Sequence, residues 1–461
     1  HYPLRRQRQM CIRDRGAVAA GMKAKGYQVT GSDAKMYEPM RSFLLNEGVE
    51  IVEGYDEVNI PSSAEVIVIG NAISRGNPEA EATLERKLRY VSLPELLKEH
   101  FLAGKRNFVI SGTHGKTTTT AMLAWLFTHA ELDPSYMIGG LPKNLGRGAE
   151  FAAGALTVLE GDEYDTSFFD KRSKFLHYLP ECAVINNIEF DHADIYRDVE
   201  EIKLSFKRLL LLVPRSGVAF VNGDDHHCLE VAAQAPCPVR TVGMGAMCKH
   251  RIQQIDYRED GTRFELDGAA YATPMVGEFN VRNAAMAICA ARFAGVEEEV
   301  IRAGLLGFAG VARRQELRGE VRGVRVIDDF AHHPTAIQLA IAALRQRYPG
   351  AKLWVLFEPR TNTTKRKVFQ LELAQALAAA DVAVIAAMSD LHKVPENDRL
   401  DPVQLMQDIK QHHGTAHYMP DVESIVTLVA AEAQPGDVVA VLSNGGFGGI
   451  HQLLLQRLAA S

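Results

Sequence analysis

The sequence predicts an α/β protein made of three successive blocks, and three observations carry that reading. Short apolar, β-branched runs alternate with stretches of helical spacing along the chain, which is the pattern of βα units. The alternation starts afresh near residues 107 and 324, and 461 residues exceed what a single hydrophobic core supports. Polar and glycine-containing clusters follow directly on apolar runs, the place where ligands gather in open parallel sheets.

In the first block, Tyr27–Thr30, Val49–Val52 and Val66–Ile69 read as strands. The second opens with Asn107–Ile110, continues through Leu156–Leu159 and Cys182–Ile185, and closes near Ala309. The third starts at Val324–Ile327 and repeats at Leu353–Phe357, Val382–Ile385 and Val438–Leu442. Between Val239 and Thr273 the period changes to alternation with turn signals at Asp260-Gly261 and Asp267-Gly268, which predicts a small antiparallel excursion inside the middle block. No solenoid-length repeat or low-complexity linker interrupts this order.

Composition narrows the function classes. The chain is 47% hydrophobic and 23% charged, as expected of a globular protein, and its net charge of -6 with no long basic run argues against nucleic acid as a partner. No apolar run approaches the roughly 20 residues needed to span a bilayer and no secretory signal is visible, so no membrane partner and a cytoplasmic location are expected. The six cysteines form no CxxC pair, which fits free thiols better than a disulfide framework or a zinc site.

The strongest chemical signal is Ser111-Gly112-Thr113-His114-Gly115-Lys116-Thr117-Thr118. It follows a predicted strand, and Met122, Leu123, Leu126 and Phe127 then recur at the spacing of an amphipathic helix, which is the context a phosphate loop requires. The glycines let backbone N–H groups face phosphate oxygens, Lys116 supplies a point charge to the outer phosphates of ATP, and Thr117 offers a hydroxyl to Mg²⁺. Ile110 stands where the usual loop has its first glycine. Past the strand ending at Leu159 come Glu160-Gly161-Asp162-Glu163-Tyr164-Asp165, with Glu160 the candidate metal ligand, since Mg²⁺ takes hard oxygens and keeps waters. A solvated acidic turn is the other reading. The next strand leads to Asn186-Asn187-Ile188-Glu189-Phe190-Asp191-His192-Ala193-Asp194, where His192 is a candidate second metal ligand or orienting group for a transferring phosphoryl, an ordinary hydrogen-bonded histidine being the other reading.

In order and spacing, GTHGKTTT, EGDEYDTSFF and NNIEFDHAD resemble the Mur ligase family, the enzymes that build and rebuild peptidoglycan precursors, and the resemblance runs over residues 16–461. It implies a Mur ligase architecture: a Rossmann-like N-terminal domain binding a UDP-sugar (1–104), a central P-loop ATPase domain (105–311) and a Rossmann-like C-terminal domain for the peptide substrate (312–461). It implies that Gly112 to Thr118 hold ATP phosphates, that Asn280 and Asn283 contact adenine, and that Arg314, of the pair Arg313-Arg314, reaches phosphate. Asp329, in the run Asp328-Asp329-Phe330-Ala331-His332-His333-Pro334, is implied at the ribose. Asp165 to Phe175, Phe357 to Thr363 and Ser443 to Gly449 resemble the branch that joins UDP-N-acetylmuramate to L-alanyl-γ-D-glutamyl-meso-diaminopimelate in peptidoglycan recycling.

That branch implies ATP and Mg²⁺ as cofactors, the UDP-sugar and murein tripeptide as small-molecule partners, and an acyl phosphate on the sugar's lactyl carboxylate that the peptide amine displaces. Charge on the transferring group would be met by Lys116, by metal at Thr117 and Glu160, and by a second site near His192, with His333 orienting or deprotonating the amine. Arg360 could hold a substrate carboxylate and Asn362, Ser443 and Asn444 the peptide; Arg360 as a plain surface residue is the alternative. Ser32, Asp33, Asn71, Ala72 and Ser74 resemble the UDP site, although Ser32, Asp33 and Ser74 equally suit turn or cap roles. Relatives also use a carbamylated lysine, for which Lys207 lies in a suitable region. Residues 1–15, with no glycine and no strand-like run, read as foreign sequence; if native, they lack the family's first strand and pyrophosphate loop. Two rivals stay open, the same chemistry with free L-alanine as acceptor and a P-loop protein that switches on nucleotide binding without turnover.

Overall fold

The computed structural model describes residues 16–35, 40–192, 195–361, 363–388, 391, 394–412 and 414–460. By contacts the chain divides into two compact units. One comprises residues up to Glu189 with Val199–Lys249 and Met286–Gly304; the other comprises Phe190–Asp198, His250–Ala285 and Leu305–Ser461. Residues 1–15, which include Cys11, and Asn362 lie outside the described residues.

In the first unit the chain enters as a helix over 16–24, then forms β1 (Thr30–Asp33) and β2 (Glu50–Glu53), a parallel pair, and β3 (Ile67–Ile69) and β4 (Tyr90–Ser92), a second parallel pair. β1 starts where the expected strand Tyr27–Thr30 ends. Tyr27 N–H closes back on Met22 O at 3.2 Å behind Gly26 at φ 91°, so the helix terminus still holds the backbone that was expected to pair.

The main sheet of this unit contains β5 (Arg106–Ser111), β6 (Ser135–Met137), β7 (Ala149–Glu150), β8 (Leu156–Gly161), β9 (Pro180–Ile185), β10 (Val218–Asn222) and β11 (Val239–Gly243). Its order is β11-β10-β9-β5-β8-β6-β7, parallel except for β7. β5 therefore lies between β8 and β9, and all of its residues after Arg106 are buried. β8 runs two residues further than its apolar stretch suggests and carries Glu160 inside the strand.

Helix Lys116–His129 departs from the amphipathic expectation. Thr117 to Ala124, Leu126 and Phe127 are all buried, because the helix is covered on a second side as well: Trp125 Nε1 donates to Gly304 O at 2.8 Å, and Gly304 has no room for a side chain against Leu126 and His129. The expected antiparallel excursion is β12 (His250–Arg258), β13 (Gly261–Leu266) and β14 (Ala269–Thr273) of the second unit. Asp267 and Gly268 form its two-residue turn with φ 55° and 79°, whereas the first hairpin turns on Glu259-Asp260 and Gly261 is already paired with Arg258.

The rest of the second unit is built on β15 (Glu316–Val321), β16 (Val324–Asp329), β17 (Leu353–Phe357), β18 (Val382–Ala386), β19 (Thr415–Met419) and β20 (Val438–Leu442), in the order β15-β16-β20-β17-β18-β19 with only β15 antiparallel. Alternate residues feed two cores. Leu353, Val355 and Phe357 pack with helices Pro334–Arg347 and Gln370–Leu377, while Trp354 and Leu356 pack with Val422–Glu432 and Ile450–Ala460. Both faces being covered, these strands read as unbroken apolar runs, which is why their limits were legible. Among the described residues no helix is long and apolar enough to cross a membrane, and Cys182, Cys228, Cys237, Cys248 and Cys289 are all free.

Candidate active site

The carboxyl ends of β5, β8 and β9 bring three polar segments together. Gly112, at φ 125°, has Asn186 N, Asn187 N and Asn187 O each 3.0 Å from where a Cβ would sit, and Gly115, at φ 83°, turns the chain into helix Lys116–His129. The loop between them is pinned by the end of β9. Thr113 N–H donates to Asn187 O at 3.0 Å, His114 N–H to Asn187 Oδ1 at 2.7 Å, and Asn186 Nδ2 to Thr119 Oγ1 at 3.1 Å. Thr113 Oγ1 both donates to Glu189 O and accepts from Glu189 N–H, and His114 Nε2 lies 3.2 Å from Glu189 Oε2. Asn186 and Asn187 thus shape the loop, a role not read from the sequence although both stand in the quoted run.

Lys116 Nζ donates to Gly112 O at 2.7 Å and to both oxygens of Glu163 at 2.8 and 3.0 Å. Burial disfavours its charge, but Glu163, Asp162 and Glu160 outweigh that and hold the ammonium's pKa above the ordinary lysine value. Glu163, only 2% exposed, was not singled out in the sequence; its partner could be recognised only once β8 lay beside β5. Thr117 Oγ1 donates to Glu160 Oε1 at 3.0 Å, and Glu160 Oε2 accepts from Gly139 N–H at 2.7 Å. A hydroxyl and a carboxylate oxygen at this separation fit a small hard cation that retains waters. Thr118 is buried one residue further along the helix.

The branch-like segment after Asp165 forms a closed loop. Thr166 N–H donates to Arg172 O, Ser167 N–H to Asp170 O, and Asp165 pairs with Ser173. At its base Asp170 accepts from Arg172 Nε and Nη2 at 2.9 and 2.8 Å, with His177 Nε2 3.1 Å away. The Arg172 contact, helped by its backbone and by His177, overcomes burial and holds the Asp170 carboxyl at about 2. In the β1 and β3 segments, Ser32 Oγ donates to Glu79, and Asp33 accepts from Lys35 N–H at 3.4 Å. Ala72 is buried, Asn71 half-buried and Ser74 exposed. Asn77, not Ser74, caps helix Pro78–Glu85. Lys207 is half-exposed and pairs with Glu230 at 3.3 Å.

In the second unit His192, at φ 57°, contacts Asp191, 3.8 Å from Nε2. Burial opposes ionisation of Asp191, yet His192, His332 and His333 around it hold its carboxyl well below the usual range. His333 precedes helix Pro334–Arg347, donates from Nε2 to Phe190 O at 3.2 Å and packs edge-on against Phe369. Asn280 and Asn283 are buried on helix Glu278–Ala294; Asn280 Nδ2 donates to Val276 O at 2.9 Å and its Oδ1 accepts from Asn283 Nδ2 at 3.4 Å.

At the strand ends of this unit, Asp329 accepts from Gln315 N–H and Ala331 N–H at 2.8 and 2.7 Å, and burial raises its pKa. Arg314 lies over the Phe330 ring, 4.8 Å from its centroid. Ser443 Oγ donates to Glu358, whose other oxygen accepts from Arg360 Nη1 at 3.1 Å, so Arg360 and Ser443 are joined through one carboxylate. Asn444 follows Ser443 in this loop.

Three family patterns match the chain: the catalytic domain of the Mur ligase family over residues 13–105, the Mur ligase middle domain over 110–291, and the Mur ligase glutamate ligase domain over 313–445. The chain is 38% identical over 448 residues, 96% of each protein, to the UDP-N-acetylmuramate–L-alanyl-γ-D-glutamyl-meso-2,6-diaminoheptandioate ligase of Escherichia coli K12. It is 31% identical, again over 96% of each, to a UDP-N-acetylmuramate–L-alanine ligase of Desulforapulum autotrophicum. Among solved structures, a murein peptide ligase of Psychrobacter arcticus 273-4 aligns over 98% of both chains at 32% identity with a TM-score of 0.71. The UDP-N-acetylmuramate–alanine ligase of Thermotoga maritima shares the fold, with a TM-score of 0.77 at 20% identity over 97% of both chains. The chain belongs to the Mur ligase family, whose members are ATP-dependent ligases that form amide bonds.

Proposed function

We propose that this chain joins UDP-N-acetylmuramate to L-alanyl-γ-D-glutamyl-meso-diaminopimelate at the expense of ATP. The observation that carries the reading is the 38% identity, over 96% of both proteins, to the Escherichia coli ligase named for that pair. The phosphate-loop geometry agrees with it. The sugar's lactyl carboxylate attacks the γ-phosphorus, the bond to the bridging oxygen of ADP breaks, and the resulting acyl phosphate is attacked by the peptide's alanyl amine, which loses a proton as inorganic phosphate leaves.

Lys116 and the N–H groups from Gly115 to Thr117 receive the phosphates, and their work is orientation and charge stabilisation. Thr117 Oγ1 and Glu160 Oε1 are the pair that would hold Mg²⁺, which when bound supplies positive charge to the phosphate oxygens. His192 remains the candidate for a second site. Asn280, Asn283, Arg314 and Asp329 serve the nucleoside and phosphates, Ser32, Asp33, Asn71, Ala72 and Ser74 the UDP-sugar, and Arg360, Asn362, Ser443 and Asn444 the peptide. Arg360 suits an acceptor richer in carboxylates than alanine, because Glu358 already steadies its guanidinium.

The test is ADP release measured with UDP-N-acetylmuramate and tripeptide, L-alanine or no acceptor. Release that depends on both the sugar and the tripeptide is expected. Preference for alanine would assign the chain to the other ligase activity, and ATP binding without sugar-dependent release would favour a nucleotide switch.

A further inference from the structure

We infer that Arg313 is a positioning residue that sets the peptide-side loop of the second unit; the inference rests on the proposed acceptor role of Ser443 and Asn444. Arg313 Nη2 donates to Ser443 O and to Gly445 O, both at 2.6 Å, so one guanidinium nitrogen grips the carbonyl before and the carbonyl after Asn444. Its Nε faces Asp328 at 3.2 Å, and Asp328 is buried at the end of β16 with His451 Nε2 3.3 Å from its other oxygen. Burial pushes the Asp328 carboxyl up, but His451 and Arg313 outweigh it and keep the group ionised as a fixed anchor.

The backbone supports the same role. Arg313 sits at φ 63°, a left-handed conformation that L side chains rarely adopt and glycine takes at ease. Its N–H donates to Glu316 Oε2 at 2.9 Å and its carbonyl accepts from Phe330 N–H at 2.9 Å, so the strained conformation is held from both sides. The gripped loop is also tied to Arg360: Gly445 N–H donates to Ser443 Oγ at 2.7 Å, and Ser443 Oγ donates to Glu358, the partner of Arg360. Arg313 thus acts through Ser443 and Asn444 and does not itself touch the peptide. Its neighbour Arg314 lies over the Phe330 ring and is the residue assigned to phosphate.

Arg313→Gly is the decisive variant, because it removes the guanidinium while leaving the backbone in a conformation glycine prefers. We expect the KM for tripeptide to rise about 10-fold or more, with the KM values for ATP and UDP-N-acetylmuramate within about twofold of the parent. Arg313→Lys, which keeps the charge but loses the fork, should recover only part of the loss. Amide hydrogen exchange provides a readout that needs no substrate: Asn444 to Gly446 should exchange faster in Arg313→Gly while the strand amides of β17 and β20 keep their protection. Unchanged exchange in that loop, or equal rises in all three KM values, would overturn the inference. Absence of tripeptide-dependent ADP release by the parent enzyme would sink the substrate reading instead, and the exchange measurement would still decide the positioning role.

Discussion

Lys116 illustrates how one residue serves two demands. In the proposed site its ammonium meets phosphate, and in the structure it also neutralises Glu163, which is almost fully buried. Lys116→Ala should therefore lower kcat by about 10²-fold or more, through loss of a charge contact at the transferring group. It should also lower stability by about 3 kcal/mol, because an unpaired buried carboxylate is left behind. The double variant Lys116→Ala/Glu163→Gln separates the effects: denaturant unfolding should recover most of the stability while ADP release stays lost. Recovered activity would contradict the phosphate role. At the metal pair, Glu160→Gln keeps one oxygen to accept from Thr117 but removes the negative charge that would hold a cation, so the Mg²⁺ concentration for half-maximal rate should rise about 10-fold.

At the scale of elements, the phosphate loop and the Asp170 loop depend on contacts that tolerate little change. Gly112→Ala would press a methyl to 3.0 Å from the backbone of Asn186 and Asn187 at a φ of 125°, and should cost about 2 kcal/mol of stability together with most ATP binding. Isothermal titration with an ATP analogue checks it. In the Asp170 loop the folded carboxyl titrates at about 2 against an ordinary 3.8. Its pKa is depressed on folding, so its contribution is complete above pH 4 and lost as pH falls towards 2. Because Arg172 is more than half exposed, we discount the pairing for screening to about 1 kcal/mol. Asp170→Asn should flatten the acid limb of the stability curve between pH 4 and 2; an unaltered limb would show that this pair is not what acid breaks.

For the whole molecule, nucleotide binding should appear as linkage. A non-hydrolysable ATP analogue with Mg²⁺ at 100 times its Kd should stabilise the nucleotide-binding unit by about 2.7 kcal/mol, and EDTA should remove most of that gain. A thermal midpoint indifferent to both would count against the site at the carboxyl ends of β5 and β8. The same scale explains what could be read in advance. Strands with both faces buried, such as Leu353–Phe357 and Val438–Leu442, show as unbroken apolar runs, so their limits match. Tyr27–Thr30 and the helix after Lys116 were read less well, since a helix terminus reaching past Gly26 and a second covering face are set by neighbours and not by local period.

The α/β alternation, the glycine loop before Lys116 and the acidic and amide residues near strand ends are legible from local sequence, because backbone propensity, apolar period and glycine conformation act over a few residues. Long-range folding alone makes Glu163, 47 residues away, the partner of Lys116, lets Asn187 shape the loop, and brings Arg313 to carbonyls 130 and 132 residues further on. The reason is strand order. β5 lies between β8 and β9, and β16 beside β20, neighbours that no local pattern encodes because hydrophobic spacing reports which face is buried and not which strand will cover it.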